Sequence, residues 1–364
     1  MRINSQILST VLSTVGVVRP EKSSLESVCG IDVKISPDKL IVSSTDLIDS
    51  VSVELTTESE LNEDFFLSGL ELNNLLTRLY TQDIGIDILG NILVVSTDNG
   101  IYEIDIIKGN NFPNISKELA ENTFRVTISH LKDILQFVTF AVAEQDVNRP
   151  ALTGVLITND ENGNAVSVGT NGGKFGRYTY QSEIKKEWKV IIPKSSIRKL
   201  DSIIKLLPVA DTETCIASVD NGRLSIRFSY SGAEVVFVCG AIDSAYPNWQ
   251  AIVPKEFETV VTVDSSLLFG SVKRLSIFSK DDKVCLKLKD KLLTMKAGKS
   301  SEQIDCTVSE NIALDAYVNI RWFSEILQST PEGMMELKIS TGKPILISSL
   351  SNPNVTLLIA QTKG

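Results

Sequence analysis

One histidine and five cysteines bound the chemistry open to this 364-residue chain. A Ser/His or Cys/His nucleophile pair would have to use His130, which lies in TISHLKDILQF directly after Ser129, a helix N-cap candidate. A capping or solvated role fits it better. Cys29, Cys215, Cys239, Cys285 and Cys306 are isolated, with no C-x-x-C or other zinc-ligand spacing, so no metal site is expected. Ser195 and Ser196 stand close to Arg198 and Lys199, but serines beside a helix start are usually caps. The glycine-rich NGGKFG at 171–176 lacks the G-x-x-x-x-G-K-[ST] spacing of a phosphate loop. No catalytic residue and no cofactor are expected.

The bulk numbers fit that picture. With 43% hydrophobic and 22% charged residues, the chain falls in the globular range. No apolar run reaches the length of a membrane span, and the N-terminus has no small-residue cleavage site after its short apolar stretch. Scattered cysteines without a secretion signal fit a reducing cytoplasm. A net charge of −9 argues against phosphate affinity over the whole surface, so any such affinity must be local.

The elements that would position a site come in repeats. Residues 65–115 and 190–249 both read strand, amphipathic helix, strand, a D-N-G turn (Asp98-Asn99-Gly100; Asp220-Asn221-Gly222) and two strands. They end in N-F-P-N-I and A-Y-P-N-W, around Pro113 and Pro247. Before them, 25–55 and 150–180 each read as a hairpin, then S-T-D or G-T-N, then a strand. Helices at 3.6 spacing precede these, through Ile7, Leu8, Val11, Leu12, Val15 and through Leu131, Ile134, Leu135, Val138, Val142. A third copy begins at TVVTVDSSLLFGSVKRLSIFS. The fold expected is α+β, with three tandem domains at 1–118, 124–245 and 252–364, each with two helices packed on antiparallel sheets. Ser68 with Glu71 reads as a capping box, and Ser129, Asp264 and Asn319 as N-caps. The six helical segments (4–18, 68–80, 129–142, 194–207, 264–280, 319–330) hold ten basic and five acidic residues, so the helices are net basic while the remainder is acidic.

Three segments in order, FAVAEQDVNRPALTGVLI (140–157), VIIPKSSIRKLDSIIKLL (190–207) and AYPNWQAIVPKEFETVVTVDSSLLFGSVKRLSIFS (245–279), resemble the bacterial DNA sliding clamps, the DNA polymerase III beta subunit family. The resemblance spans the whole chain and is weakest in the first repeat. It implies a homodimeric ring of six domains around double-stranded DNA, helices lining the hole. Such a processivity factor tethers the replicative DNA polymerase, and the clamp loader and other proteins bind it through short peptides with Leu-Phe-like anchors.

Carried over, the peptide pocket corresponds to Leu152, Thr170, Gly172, Phe175, Pro247, Ile252, Leu357 and Ile359. Lys22, Gln145 and Arg149 match DNA-touching positions, and the helix charge adds Lys194, Arg198, Lys199 and Lys273. The dimer contact corresponds to Tyr102 and Ile104 on one side, Ile277 and Phe278 on the other. The chain has Ala251 where the family commonly has an arginine, and it ends IAQTKG instead of M-P-x-R/L. Two other readings stay open: a clamp-like interaction scaffold without DNA encirclement, and an enzyme with an unrecognised site.

Overall fold

Apolar residues three and four apart bury one stripe of each helix, and hairpin turns fold the intervening strands into antiparallel sheets. The computed structural model describes residues 1–109, 111–115, 123–181, 188–220, 222–310 and 312–363. Among these residues are six α-helices: α1 (Ser5–Gly16), α2 (Glu71–Leu76), α3 (Ile128–Phe137), α4 (Lys194–Leu206), α5 (Ser265–Ser276) and α6 (Ile320–Ser329). Their positions match the six helical segments expected, each ending earlier than drawn, with α3 starting one residue sooner and α4 at the expected residue. Leu8, Val11, Leu12 and Val15 of α1 are buried, as are Ile197, Leu200, Ile203 and Ile204 of α4. Each such side chain contributes about 2 kcal/mol relative to exposure.

Side-chain caps fix three of the helix starts. The Asn4 side chain accepts from the backbone N–H of Gln6 (3.0 Å) and Ile7 (3.3 Å), Asp264 from Leu267 (3.0 Å) and Asn319 from Trp322 (3.0 Å). The Ser68/Glu71 capping box does not form. Helix α2 starts at Glu71 itself, Leu70 holds the cap position, and no side chain caps it. Ser129 likewise lies inside α3 and is not its cap. Of the D-N-G turns, the first lies between strands Ile92–Ser96 and Ile101–Asp105, while Asn221 of the second is outside the described residues.

The chain divides into two compact units, residues 1–129 with 195–241 and residues 130–194 with 242–364. Among the described residues each unit holds one nine-stranded and one four-stranded antiparallel sheet. In the first unit, Asp49–Thr56 joins Ala233–Gly240 at the middle of the nine-stranded sheet, with Ser50 opposite Val238. In the second, Lys174–Tyr180 joins Val355–Ile359, with Phe175 opposite Leu358. Each large sheet is therefore built from two successive sequence repeats, and the compact units cut the chain at different places from the repeat boundaries.

The same turn recurs in both sheets, hydrogen bond for hydrogen bond. Thr45 Oγ1 donates to the Asp49 carbonyl (2.8 Å) and Thr170 Oγ1 to the Lys174 carbonyl (2.7 Å). Asp46 accepts from the N–H groups of Ile48 (3.0 Å) and Asp49 (2.7 Å), as Asn171 does from Gly173 (2.9 Å) and Lys174 (2.8 Å). The third position is left-handed in each: Leu47 at φ 76° and Gly172 at φ 89°. Glycine reaches that region without strain and leucine does not.

His130, near the start of α3, has a structural role. Its Nδ1 lies 2.8 Å from the Tyr178 hydroxyl, which donates to Asp133 (2.6 Å), and its ring stacks on Tyr180 with centroids 4.7 Å apart. Burial lowers the imidazole's proton affinity, and the Asp133 charge only partly offsets this. Because the folded chain takes up this proton less readily than the unfolded chain, the associated stability is complete above the usual imidazole range and declines as pH falls through it. The urea midpoint is expected to drop between pH 7.5 and about pH 5.5, and to drop less in His130→Gln. Equal drops in the two proteins would remove His130 from this role.

Candidate functional site

One face of the second unit's large sheet carries an apolar cluster of Ala151, Leu156, Val166, Val168, Phe175, Ile191 and Leu358. The 242–253 segment lies across it, with Ile242, Tyr246, Trp249 and Val253 packed against the cluster. Tyr246 donates its hydroxyl to the Val168 carbonyl (3.2 Å). The Trp249 ring sits between Phe175 (centroids 6.2 Å apart) and the Arg177 guanidinium (6.0 Å). These contacts turn the side chains of Pro247 and Ile252 outward. Both are exposed, Ile252 at 43%. Around Ile252 opens a groove of about 800 Å³.

The register corrects part of the expected pocket. Residues directly opposite in an antiparallel pair share a face, so Phe175 and Leu358 look the same way. Leu357 pairs with Gly176 and Ile359 with Lys174, and both point to the other face. On that face an added Cβ at Gly176 would lie 2.3 Å from the Phe137 carbonyl oxygen, so α3 covers it. Leu357 (1% exposed) and Ile359 (0%) are core residues of the helix side. Leu358, one position along, is the strand's contribution to the face beneath the 242–253 segment. Leu152 is buried beside Ala151, and Thr170 is held in the turn. Of the eight expected residues, Gly172, Pro247 and Ile252 reach the surface.

The basic residues differ in how far their charges are buried against carboxylates. Lys199 Nζ bonds both Asp46 and Asp49, the latter at 2.7 Å, and Ser196 Oγ donates to Asp49 (2.7 Å). The Asp49 side chain is 1% exposed. Burial works against the Lys199 charge, but the two carboxylates outweigh it and hold its ammonium above the usual lysine range. Lys199 is therefore a structural cation and not a DNA contact. Lys194 is spent similarly, on Glu144 (2.8 Å) and the Val142 carbonyl (3.1 Å), which ties it to the loop carrying Gln145 and Arg149. Lys205, Arg274 and Arg321 also pair, with Asp201, Glu302 and Asp282. Lys22, Gln145, Arg149, Arg198 and Lys273 are exposed. Arg149 forks onto Asp146, and Lys273 lies over the Phe269 ring at 4.8 Å.

Two of the strands that end a sheet bear on assembly. Ile101–Asp105 is the last strand of the four-stranded sheet in the first unit, and Ser300–Asp305 that in the second. Tyr102 is 38% exposed on the first edge, and Ile104, opposite Leu93, is buried behind it. Ile277 and Phe278, just past α5, are 78% and 54% exposed, so neither fills a core within the chain. Among the described residues no group of three or more His, Cys, Asp or Glu could hold a metal ion, and no helix is long and apolar enough to cross a membrane.

Comparison with known proteins gives this arrangement a family. The DNA polymerase III beta subunit central domain matches residues 125–248 and its C-terminal domain residues 250–363, together well over half the chain. The chain belongs to the DNA polymerase III beta subunit family. It is 22% identical over 379 residues to the beta sliding clamp of Mycoplasmopsis pulmonis, covering 99% of this chain and 98% of that one. It is 23% identical over 378 residues to that of Mycoplasma capricolum, with the same coverage. The Pseudomonas aeruginosa DNA polymerase III subunit beta structure superposes with a TM-score of 0.90 at 18% identity, covering 100% of both chains. The Bacillus subtilis sliding clamp does so at 0.88 and 16%, covering 100% and 98%. The α+β, three-domain clamp fold is thus the fold of this chain.

In this clamp chain, losing Lys199 should destabilise where losing an open cation should not. Lys199→Met leaves Asp49 buried and unpaired and is expected to cost about 3 kcal/mol, whereas Lys273→Gln stays within about 0.5 kcal/mol. Urea unfolding measures both, and equal small effects would refute the structural assignment.

Proposed function

We propose that this chain is a DNA sliding clamp: two copies close into a ring around duplex DNA and hold the replicative polymerase there through a peptide groove. Its three domains take the boundaries 1–118, 124–245 and 252–364. The reading is of a non-catalytic accessory subunit, loaded by a clamp loader and working in the cytoplasm. It rests on full-length similarity to beta sliding clamps together with one structural observation: Ile277 and Phe278, just past α5, are 78% and 54% exposed in a domain whose four-stranded sheet ends in the strand Ser300–Asp305.

Unpaired edges invite another strand, and a chain with two unlike edges can join a second copy head to tail so that a twofold rotation closes the set. Pairing Ile101–Asp105 of one copy with Ser300–Asp305 of the other would satisfy both rows of N–H and C=O groups. Tyr102, Ile277 and Phe278 would then lose water, with Ile104 as backing.

Lys22, Gln145, Arg149, Arg198 and Lys273 remain as the DNA set. Side chains reaching phosphates without entering a groove attract any sequence equally. Because a closed ring holds DNA by topology, a few such contacts suffice, and weak ones allow sliding. The peptide groove is the opening around Ile252, walled by Val253, Pro254 and Pro344.

Ile277→Ala with Phe278→Ala is expected to give a folded monomer of half the wild-type mass in light scattering. A wild type already monomeric at micromolar concentration would overturn the ring. Arg198→Glu with Lys273→Glu should lower retention on nicked circular DNA after loading, with thermal stability unchanged because exposed charges contribute little to folding. Unchanged retention would remove this pair from the DNA set.

A further inference from the structure

We propose that Lys194 is a positioning residue for the DNA contact: its ammonium holds in place the loop that carries Gln145 and Arg149, and meets no phosphate itself. This rests on reading that loop as DNA-touching and names what fixes it.

Lys194 stands where a strand becomes a helix. Pro193 ends the strand Lys189–Pro193 opposite Gly154, and Lys194 opens α4. Sheet and helix therefore set its backbone, while its side chain, 13% exposed, reaches back to the Val142 carbonyl (3.1 Å) and the Glu144 carboxylate (2.8 Å). Two residues before Val142, the Phe140 carbonyl accepts from the buried Lys174 at 2.9 Å. The chain entering the loop is thus held by two ammonium groups, and Lys194 is the one nearer the tip.

The loop itself is closed by its own hydrogen bonds. The Ala143 N–H donates to the Leu152 carbonyl (2.9 Å) across the base, and Asp146 accepts from the N–H (2.8 Å) and Nε (3.1 Å) of Arg149. Closed in this way, the loop is displaced as one piece, so a brace on Glu144 sets the place of Gln145 and Arg149 together. On its other side the Arg149 guanidinium lies 3.7 Å from where a Cβ on Gly172 would stand, which seats it against that turn. Lys194 is poorly suited to meet phosphate directly. Turning to one would leave the Val142 carbonyl and Glu144 behind, so the new contact would replace two that already exist. The Glu144 side chain is 66% exposed, so the pair adds little to folding, and what it fixes is the loop.

Glu144 is an acidic residue beside a loop read as DNA-touching. On charge alone its removal should tighten DNA, and a phosphate-seeking Lys194 freed by that removal would tighten it further. Positioning predicts the reverse. In anisotropy titrations of a short labelled duplex with the full-length chain at low salt, Glu144→Gln and Lys194→Met are each expected to bind roughly two- to tenfold weaker than wild type, the range for one or two exposed ion pairs. The two changes together should bind no weaker than Lys194→Met alone. Lys194→Arg, whose fork can meet both acceptors, should bind as wild type does. In a chain carrying Gln145→Ala and Arg149→Gln the loop has nothing left to position, and Lys194→Met should cause no further loss. A further loss there would make Lys194 a phosphate contact and overturn the proposal. Unchanged or tighter binding by Glu144→Gln, with the Gln145→Ala, Arg149→Gln chain weakened, would overturn it too and leave the DNA loop standing. If the Gln145→Ala, Arg149→Gln chain binds duplex as wild type does, the reading of the loop falls as well.

Discussion

Both units depend on a charge held at the turn where two repeats share a sheet. Asp49 and Lys174 occupy the same last position of the recurring turn, and each meets the sixth residue of a helix, Lys199 of α4 and Glu325 of α6. The two ties have opposite sign. Asp49 is 1% exposed and the Lys174 side chain 8%, so neither can leave its partner for water without rearranging the turn. The third residue of each helix adds a second contact. Ser196 donates to Asp49, and Trp322 packs so closely on Gly173 that a Cβ there would lie 2.1 Å from its ring. Reversed polarity makes each helix a poor partner for the other's turn, since exchange would bring like charges together. On a repeated frame, that distinguishes correct from incorrect docking.

This use of charge explains why a net basic helix count overstates phosphate attraction. Lys194, Lys199, Lys205, Arg274 and Arg321 all end on carboxylates of their own chain. The DNA set proposed above is a handful of exposed groups, two of them in the loop at 145–149. A clamp that must slide gains from this economy, because each extra fixed phosphate contact would raise the barrier to moving along the duplex.

The sequence made the repeat and the six helices legible, because turn chemistry and helical spacing are local signals, whereas Ile277 and Phe278 entered only through the family resemblance. Register was not. Val355–Ile359 is buried along its whole length, so no polar alternation says which residues face the 242–253 segment. Only the partner strand, through Phe175 opposite Leu358, decides it, and a slip of one residue exchanges Leu358 for Leu357 and Ile359. Lys199 misled for a related reason. Its place in α4 reads as a solvated face, but its partners lie about 150 positions away, beyond any spacing rule. The Ser68/Glu71 pattern failed because the spacing was right while the helix began three residues later, at the glutamate itself.

The repeat also explains why one junction carries an apolar cover and the other does not. The turn places Ser50 in the first sheet where Phe175 stands in the second, and Ser43 where Val168 stands. Opposite them, Val238 takes the place of Leu358. In the first sheet, Ser43 donates to Ser52 at 2.9 Å, and the segment around Phe112 and Pro113 borders a cavity of about 180 Å³ with Asp32, Lys34 and Ser43. An apolar anchor there would strip water from hydroxyls and charges without replacing their hydrogen bonds, a cost that exceeds the gain from burying its own surface. At the second junction the same backbone presents Val168, Phe175 and Leu358, and Tyr246 and Trp249 cover them as an apolar layer. A few side-chain exchanges on a frame the chain builds twice therefore make the second junction apolar and leave the first polar.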